Sequence, residues 1–369
     1  MPRALFRAFQ SVGPRPAPLP CATAGRRLGA SALLLLGMAL GGCKGLGEPA
    51  RAGVPLVGIN VAGAEFTPDK MPGRLNYDFF YPEQQHFQYY QSKGIRLIRF
   101  PFAWERLQQQ LGGPLNEEQV MLLNRTLDLA AAHGIQVLLD MHNYARYNGE
   151  LIGSPSVPNA AFADVWRRLA SEFRGHPALF GYDIMNEPYQ TNGLWPAAAQ
   201  AAVDAIREVD RDTLLIIEGD RWANATYWPE VNGDLDIQDP SDNLMYQAHL
   251  YFDEDFSGRY EKLENVDPMH GVERVRPFVE WLRQNGHRGF LGEHGIPDDS
   301  PSMLPAMDNL LAYLNSHCIP STYWAGGPAW GDYRLSIEPR DGKDRPQMKI
   351  LEKHVRHSCP AFGPFPTER

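Results

Sequence analysis

Eight short β-branched or apolar runs recur along one uninterrupted stretch of this chain, with longer amphipathic segments between them. The runs are Leu56 to Asn60, Ile95 to Phe100, Ile135 to Asp140, Phe180 to Met185, Leu214 to Glu218, Leu244 to His249, Arg288 to Gly292 and Ser321 to Ala325. Between them, the helix-like segments include residues 117–132, 160–173, 196–209, 272–284 and 302–315, several ending at Gly, His-Gly or Asn-Gly stops. Continuous apolar strands alternating with amphipathic helices indicate a parallel sheet covered by helices. Eight such units in succession predict an α/β fold, the (β/α)8 or TIM barrel, as a single domain. Such a barrel takes about 250 residues, more with insertions, so residues 54–360 fill it. The competing architecture is an open doubly wound sheet, but no Gly-rich phosphate loop follows the first run.

In such a barrel the active site forms where the strands end, at their C-terminal face. The ends of these runs are unusually polar: Asn60, Arg99, His142 with Asn143, Asn186 with Glu187, His249 with Tyr251, Glu293 and Trp324. Each has an ordinary explanation taken singly, as a salt bridge or a satisfied core histidine. Their convergence on one face is different, because a packed core would not gather so many polar groups without a ligand to meet them. Two carboxylates stand out, Glu187 after the fourth run and Glu293 after the seventh. Strands on opposite sides of a barrel aim their ends across the mouth, the arrangement that glycosidic bond cleavage needs. Glu218 and Asp140 read instead as structural hydrogen-bond acceptors.

The segments Gly58-Ile59-Asn60-Val61-Ala62-Gly63, Ile98-Arg99-Phe100-Pro101 and Leu139-Asp140-Met141-His142-Asn143-Tyr144-Ala145-Arg146 form a set with four more. Those are Ile184-Met185-Asn186-Glu187-Pro188, His249-Leu250-Tyr251, Gly292-Glu293-His294-Gly295 and Tyr323-Trp324-Ala325. Together, in this order and spacing, they resemble glycoside hydrolase family 5. The run from Asn143 to Gly149 and the stretch at 111–116 are most similar to its fungal-type endoglucanase subfamily. The resemblance implies an endo-acting retaining β-1,4-glucanase with Glu187 as acid/base and Glu293 as nucleophile. Glu187 must then hold a proton near neutral or mildly acidic pH. Glu293 must stay ionised, and Arg99 is the charge best suited to keep it so. Tyr251 would orient the nucleophile and Asn186 would bind the sugar 2-hydroxyl. Asn60, His142, Asn143 and His249 would line and tune the site, Trp324 would floor it, and Tyr144 and Trp222 are candidates for outer sugar positions. No cofactor and no metal is implied. His294 departs from the aromatic residue common beside this nucleophile. The same machinery serves β-mannan, xyloglucan and exopolysaccharide hydrolases, so these remain alternatives, as does a carbohydrate-binding pseudoenzyme or a surface assembly protein.

Charge and the N-terminus place the chain. Residues 1–42 carry five Arg and no acid, so their removal takes the formal charge from -9 to -14. So acidic a body is a poor partner for nucleic acid. Arg26 and Arg27 precede the apolar stretch Leu28 to Leu40, too short to span a bilayer comfortably, which reads as an export signal. Leu40-Gly41-Gly42-Cys43 resembles a bacterial lipoprotein signal, whose Cys43 becomes lipidated. The expected organisation is a leader at 1–42, an anchor and Gly-rich tether at 43–53, the barrel at 54–360 and a tail at 361–369. The expected protein is an exported monomer, either an outer-membrane lipoprotein or secreted, touching membrane only through a lipid. Its partner would be a β-glucan. In an oxidising compartment Cys318 and Cys359 are candidates for a disulfide, with two free thiols as the alternative.

Overall fold

The computed structural model describes residues 53–262 and 265–365; the leader, Cys43 and residues 366–369 lie outside the described residues. Eight strands form the barrel: β1 (Val57–Val61), β2 (Leu97–Phe102), β3 (Gln136–Met141), β4 (Leu179–Asp183), β5 (Leu214–Glu218), β6 (Leu244–Tyr251), β7 (Gly289–Gly295) and β8 (Ser321–Gly326). All neighbours pair in parallel and β8 pairs back to β1, which closes the barrel. The outer helices are α1 (Gln84–Ser92), α2 (Glu117–Ala132), α3 (Asn159–Phe173), α4 (Trp195–Arg207), α5 (Trp228–Asn232), α6 (His270–Asn285), α7 (Met303–Ser316) and α8 (Pro346–His354). Local chemistry sets their ends. Asn116 caps α2 by accepting from the Gln119 amide at 3.1 Å, and α6 stops at Gly286, whose φ of 70° is left-handed.

The expected (β/α)8 barrel is therefore the architecture found, with shifted strand limits. The first three strands begin and end one or two residues later than the apolar runs, while β6 and β7 run on through polar residues. The backbone ladder does not stop where hydrophobicity does, so polarity at a strand's end is a poor marker of its last residue. Glu293 consequently lies within β7 rather than closing it. Arg99 is likewise the third of six residues in β2, inside the barrel, not at a strand end.

Side chains alternate across each strand, and this period of two builds the barrel in layers. Leu97, Leu138, Leu214, Ile216, Met245 and Phe290 point inward and form an apolar plug, while their outward neighbours pack under the helices. Farther toward the C-terminal ends, Arg99, Asp140, Asp183, Glu218 and Gln247 are fully buried. The apolar plug thus carries a buried polar layer on which the mouth rests. Gly292 makes room for it, since a Cβ there would meet the Gln247 amide at 2.4 Å.

At the opposite end, Val54–Pro55 pairs antiparallel with Ser358–Cys359, so the chain enters at the base of the barrel. A disulfide joins Cys318 to Cys359 with the Cα atoms 5.8 Å apart. Phe362 packs edge-on against Phe180 at 5.8 Å, and Gly363 exchanges backbone hydrogen bonds with Gly289 and Cys318. The boundary expected at residue 360 therefore falls too early: the segment through Pro364 plugs the base and belongs to the body. A single apolar Phe362 after Pro360 and Ala361 gave no periodic signal of that.

Candidate active site

The mouth is organised around one guanidinium. Arg99 is fully buried and donates from Nε to Asp183 at 2.7 Å, and from Nη1 to Asn60 at 3.0 Å and Glu293 Oε1 at 2.9 Å. Its Nη2 donates to Asn186 Oδ1 at 2.8 Å and Glu218 Oε1 at 2.9 Å, with Asp140 at 3.1 Å. Only a planar fork with five N–H groups can serve partners on so many strands. Burial alone would oppose its charge, but the surrounding Asp140, Asp183, Glu218 and Glu293 outweigh that and hold Arg99 firmly cationic. One cation cannot balance all these acids. Burial pushes Asp183 well above the carboxylate range against the pull of Arg99, with Glu218 and Asp140 adding to the rise.

Glu293 is held at both oxygens, by Arg99 on Oε1 and by the Tyr251 hydroxyl on Oε2 at 2.7 Å. Burial, then the Glu293 charge, raise the Tyr251 hydroxyl well above its usual value, so it remains a donor. The register between β6 and β7 shifts between Leu291 and Glu293, an irregularity of the kind that re-aims a side chain. Glu187 follows β4 with a φ of 43°, a region that non-glycine residues rarely adopt. Its amide donates to Glu218 Oε2 at 2.7 Å, and Asn186 is tied by its backbone to Met141 and Tyr144, which together fix this turn. Burial raises the Glu187 carboxyl, His249 pulls it down through a hydrogen bond, and the Glu293 charge raises it again; the balance is upward.

His249 connects the acids. Its Nδ1 lies 2.8 Å from Glu187 Oε1 and 3.6 Å from Glu293 Oε2, and its Nε2 lies 3.2 Å from Glu218 Oε1. Burial disfavours its charge, but Glu218 and Glu293 outweigh burial and raise it well above an ordinary histidine, which favours the imidazolium form. Glu187, His249 and Glu293 present one ligand-type atom each, all within 4.8 Å of one another. Such a trio can hold a cation, but a hydrogen bond already joins two of its members, His249 and Glu187. His142 bonds Asp140 through Nδ1 at 2.7 Å and stacks on Trp324 at 5.6 Å. Burial again works against its charge, and Asp140 more than compensates.

The expected residues separate into those the mouth uses and those that hold it. Asn186 presents Nδ2 as a buried donor with no partner among the described residues, which is what a sugar hydroxyl would satisfy. Asn60 is a buttress: its Nδ2 donates to Gly292 O at 2.8 Å and its Oδ1 accepts from Arg99. Asn143 does not tune the site. Its Oδ1 accepts from the Trp104 amide at 2.8 Å and its Nδ2 donates to Glu105 at 2.6 Å, so its amide is spent pinning the loop after β2. Trp222 is 46% exposed and lies flat on Tyr189 at 5.0 Å and 8°, and Tyr144 meets Tyr189 edge-on. With Tyr227, Phe256 and Arg259, Trp222 and Tyr144 line a cleft of about 590 Å³ beside Glu187. His294 points away into the core, edge-on to Tyr323, and burial lowers it to about 3. Sequence reasoning missed Asp183 and Gln247, which strand parity could have found, and Tyr189, which nothing local marks.

Comparison with known proteins adds four findings. The model of the cellulase family, glycosyl hydrolase family 5, matches residues 59–329. Endo-beta-1,4-glucanase B of Aspergillus niger is 34% identical over 326 residues, 86% of this chain and 96% of that one. Pseudomonas stutzeri endoglucanase Cel5A, solved in complex with cellobiose, is 61% identical with a TM-score of 0.84, covering 85% of this chain and 96% of that one. An endo-beta-1,4-glucanase of Xanthomonas axonopodis pv. citri is 36% identical with a TM-score of 0.77, covering 82% and 99%.

Proposed function

The chain belongs to glycosyl hydrolase family 5, the cellulase family, and from that premise we propose that it is an endo-acting β-1,4-glucanase cleaving by double displacement between Glu187 and Glu293. The observation that carries the stereochemistry is the closeness of the two acids, an oxygen of each lying within 4.8 Å of the other. Retaining enzymes keep their carboxyl groups about 5–5.5 Å apart, whereas inverting ones need roughly 6.5–9.5 Å to admit a water. No water fits between Glu293 and an anomeric carbon here, so Glu293 attacks carbon itself.

In the first step Glu187 gives its proton to the glycosidic oxygen, the bond from C1 to that oxygen breaks, and a Glu293 carboxylate oxygen bonds to C1. The raised affinity of Glu187 for its proton suits this role. Once ionised, Glu187 is stabilised by the His249 imidazolium at 2.8 Å. In the second step Glu187 takes a proton from water, the water oxygen bonds to C1 and Glu293 leaves. Tyr251 and Arg99 hold both oxygens of Glu293 and so fix its direction of attack. The free Asn186 Nδ2 is placed to bind the 2-hydroxyl, a contact that strengthens as charge develops on the ring. Trp324, backed by His142, offers an apolar face beneath the sugar. The Trp222 and Tyr144 cleft beside Glu187 takes the leaving portion. Proton NMR of fresh cello-oligosaccharide hydrolysis should show the β-anomer first, and initial α-anomer would refute the nucleophile assignment.

Export is part of the same reading. The Cys318–Cys359 disulfide suits an oxidising compartment. No helix among the described residues is long and apolar enough to cross a membrane. The Leu40-Gly41-Gly42-Cys43 motif supports a lipid on Cys43 as the membrane attachment. Detergent-phase extraction of wild type against Cys43→Ser tests it, and a wild type found wholly in the aqueous phase would leave ordinary secretion.

A further inference from the structure

Glu65 is a buried carboxyl that takes part neither in the two-step mechanism nor in the Arg99 network. Glu65 stands in the loop after β1 and is 9% exposed. Its Oε2 accepts from the Gly63 amide at 2.7 Å and its own backbone amide contributes, but among the described residues no side chain hydrogen-bonds it. The loop that carries it is firmly held. Arg106 donates from Nε to Pro72 O at 2.8 Å, from Nη2 to Phe66 O at 2.9 Å and from Nη1 to Ala64 O, while Ala64 bridges to Phe102 at the end of β2. Gly63 has a φ of 145°, and a Cβ there would meet Phe80 O at 2.8 Å. A loop this constrained presents its acid in one place.

That place is set by its neighbours. The Glu65 carboxyl interacts electrostatically with His142 and Asp140, on the side of the mouth where His142 stacks on Trp324, and also with Tyr144, which lines the cleft beside Glu187 as well and so does not distinguish the sides. The next residue, Phe66, meets Trp330 edge-on at 4.8 Å, and Trp330 lies 6.0 Å from Trp324. The cleft of Trp222, Tyr227 and Arg259 borders Glu187 instead. Since Glu187 protonates the leaving oxygen, that cleft takes the departing portion, and the Glu65, Phe66 and Trp330 side borders the portion retained on Glu293. A carboxyl has about four acceptor positions, and here only backbone amides use any of them. Burial, its largest influence, pushes this carboxyl up to about 7, the mark of an acid that lacks adequate partners. Paired equatorial hydroxyls of a pyranose are such partners.

We propose that Glu65 binds hydroxyl groups of the sugar unit adjoining the cleaved one on its retained side. This rests on the double-displacement reading above and adds a residue to its substrate contacts. The test is the bond-cleavage frequency on cellotetraose labelled with ¹⁸O at its reducing end. Cutting the central bond or the bond nearest the reducing end places a sugar beside Glu65, whereas cutting the bond nearest the non-reducing end leaves that position empty. Glu65→Ala should therefore raise the share of cuts at the non-reducing-end bond by about three- to tenfold, the worth of one hydrogen bond. Its kcat/KM on cellotetraose should fall mainly through KM, and Glu65→Gln should restore part of both. The cleavage ratio is independent of how much of the variant is folded. An unchanged ratio would assign Glu65 to holding the loop alone, and a shift toward the reducing-end bond would put it on the leaving side; either overturns the proposal. Wild type that does not cut cellotetraose would instead refute the glucanase reading itself.

Discussion

Replacing His249 by Leu should move the alkaline limb of the pH profile upward. In the native mouth His249 lowers the Glu187 proton affinity through a 2.8 Å hydrogen bond between side chains 2% and 17% exposed. The substitution removes that bond and the imidazolium charge, while burial and the charge of Glu293, both of which raise Glu187, remain. A hydrogen bond to a charged group contributes about 1.5–3 kcal/mol, and 1.36 kcal/mol corresponds to one pKa unit. The limb should therefore rise by about one to two pH units, toward the lower figure if water enters the space left by the ring. Glu218 stays bonded to Arg99 and Gln247, so the buried layer is not left with an orphaned charge. The assay is kcat/KM on cellotetraose over about pH 4 to 9, which reports the free enzyme. The limb belongs to the Glu187 and His249 pair rather than to either alone. A limb that stays in place or moves down would show that His249 does not restrain the acid.

Glu187→Gln and Glu293→Gln should each fold normally and lose several orders of magnitude in turnover, since each removes one of two indispensable carboxyl functions; more than about a tenth of activity in either would overturn the pairing. Cys318→Ser should lower unfolding free energy in urea by about 2–4 kcal/mol, because the disulfide spans a separation of 41 residues, and reductant should produce the same loss in wild type. Unfolding midpoints that ignore both changes would show that the base is held by its apolar plug alone.

What could be read from sequence was what repeats or what carries its chemistry locally. Each strand announces itself by β-branched apolar residues, and eight of them leave few architectures. Glu187 and Glu293 stand beside residues whose types already suggest a sugar site. Asn143 misled because its position next to His142 says nothing about direction: the chain turns after β3, and the two side chains diverge, His142 toward Trp324 and Asn143 toward Trp104 and Glu105. Arg99 was recognised, but as a neighbour of one carboxylate rather than the centre of four. That role depends on which strands surround β2 in space, which only barrel closure determines. Glu65 escaped notice because a lone acid in a loop is ordinarily solvated, and its burial follows from the Arg106 contacts 40 or so residues away.

The point of chain entry has a consequence for how the enzyme would work once attached. Val54 leads into the floor of the barrel, and the mouth opens at the far end of the strands. Nine residues lie between Cys43 and Gly53, a span of at most about 35 Å when fully extended. A lipid on Cys43 would therefore keep the body close to a bilayer, by the face that does no chemistry, and leave the opening turned outward. Long polymer strands could then slide past the catalytic pair without threading between protein and lipid. The same polarity makes the N-terminus a suitable point for immobilisation on beads or fusion to another module, whereas a bulky attachment near Trp222 or Trp330 would stand in the path of the chain being cut.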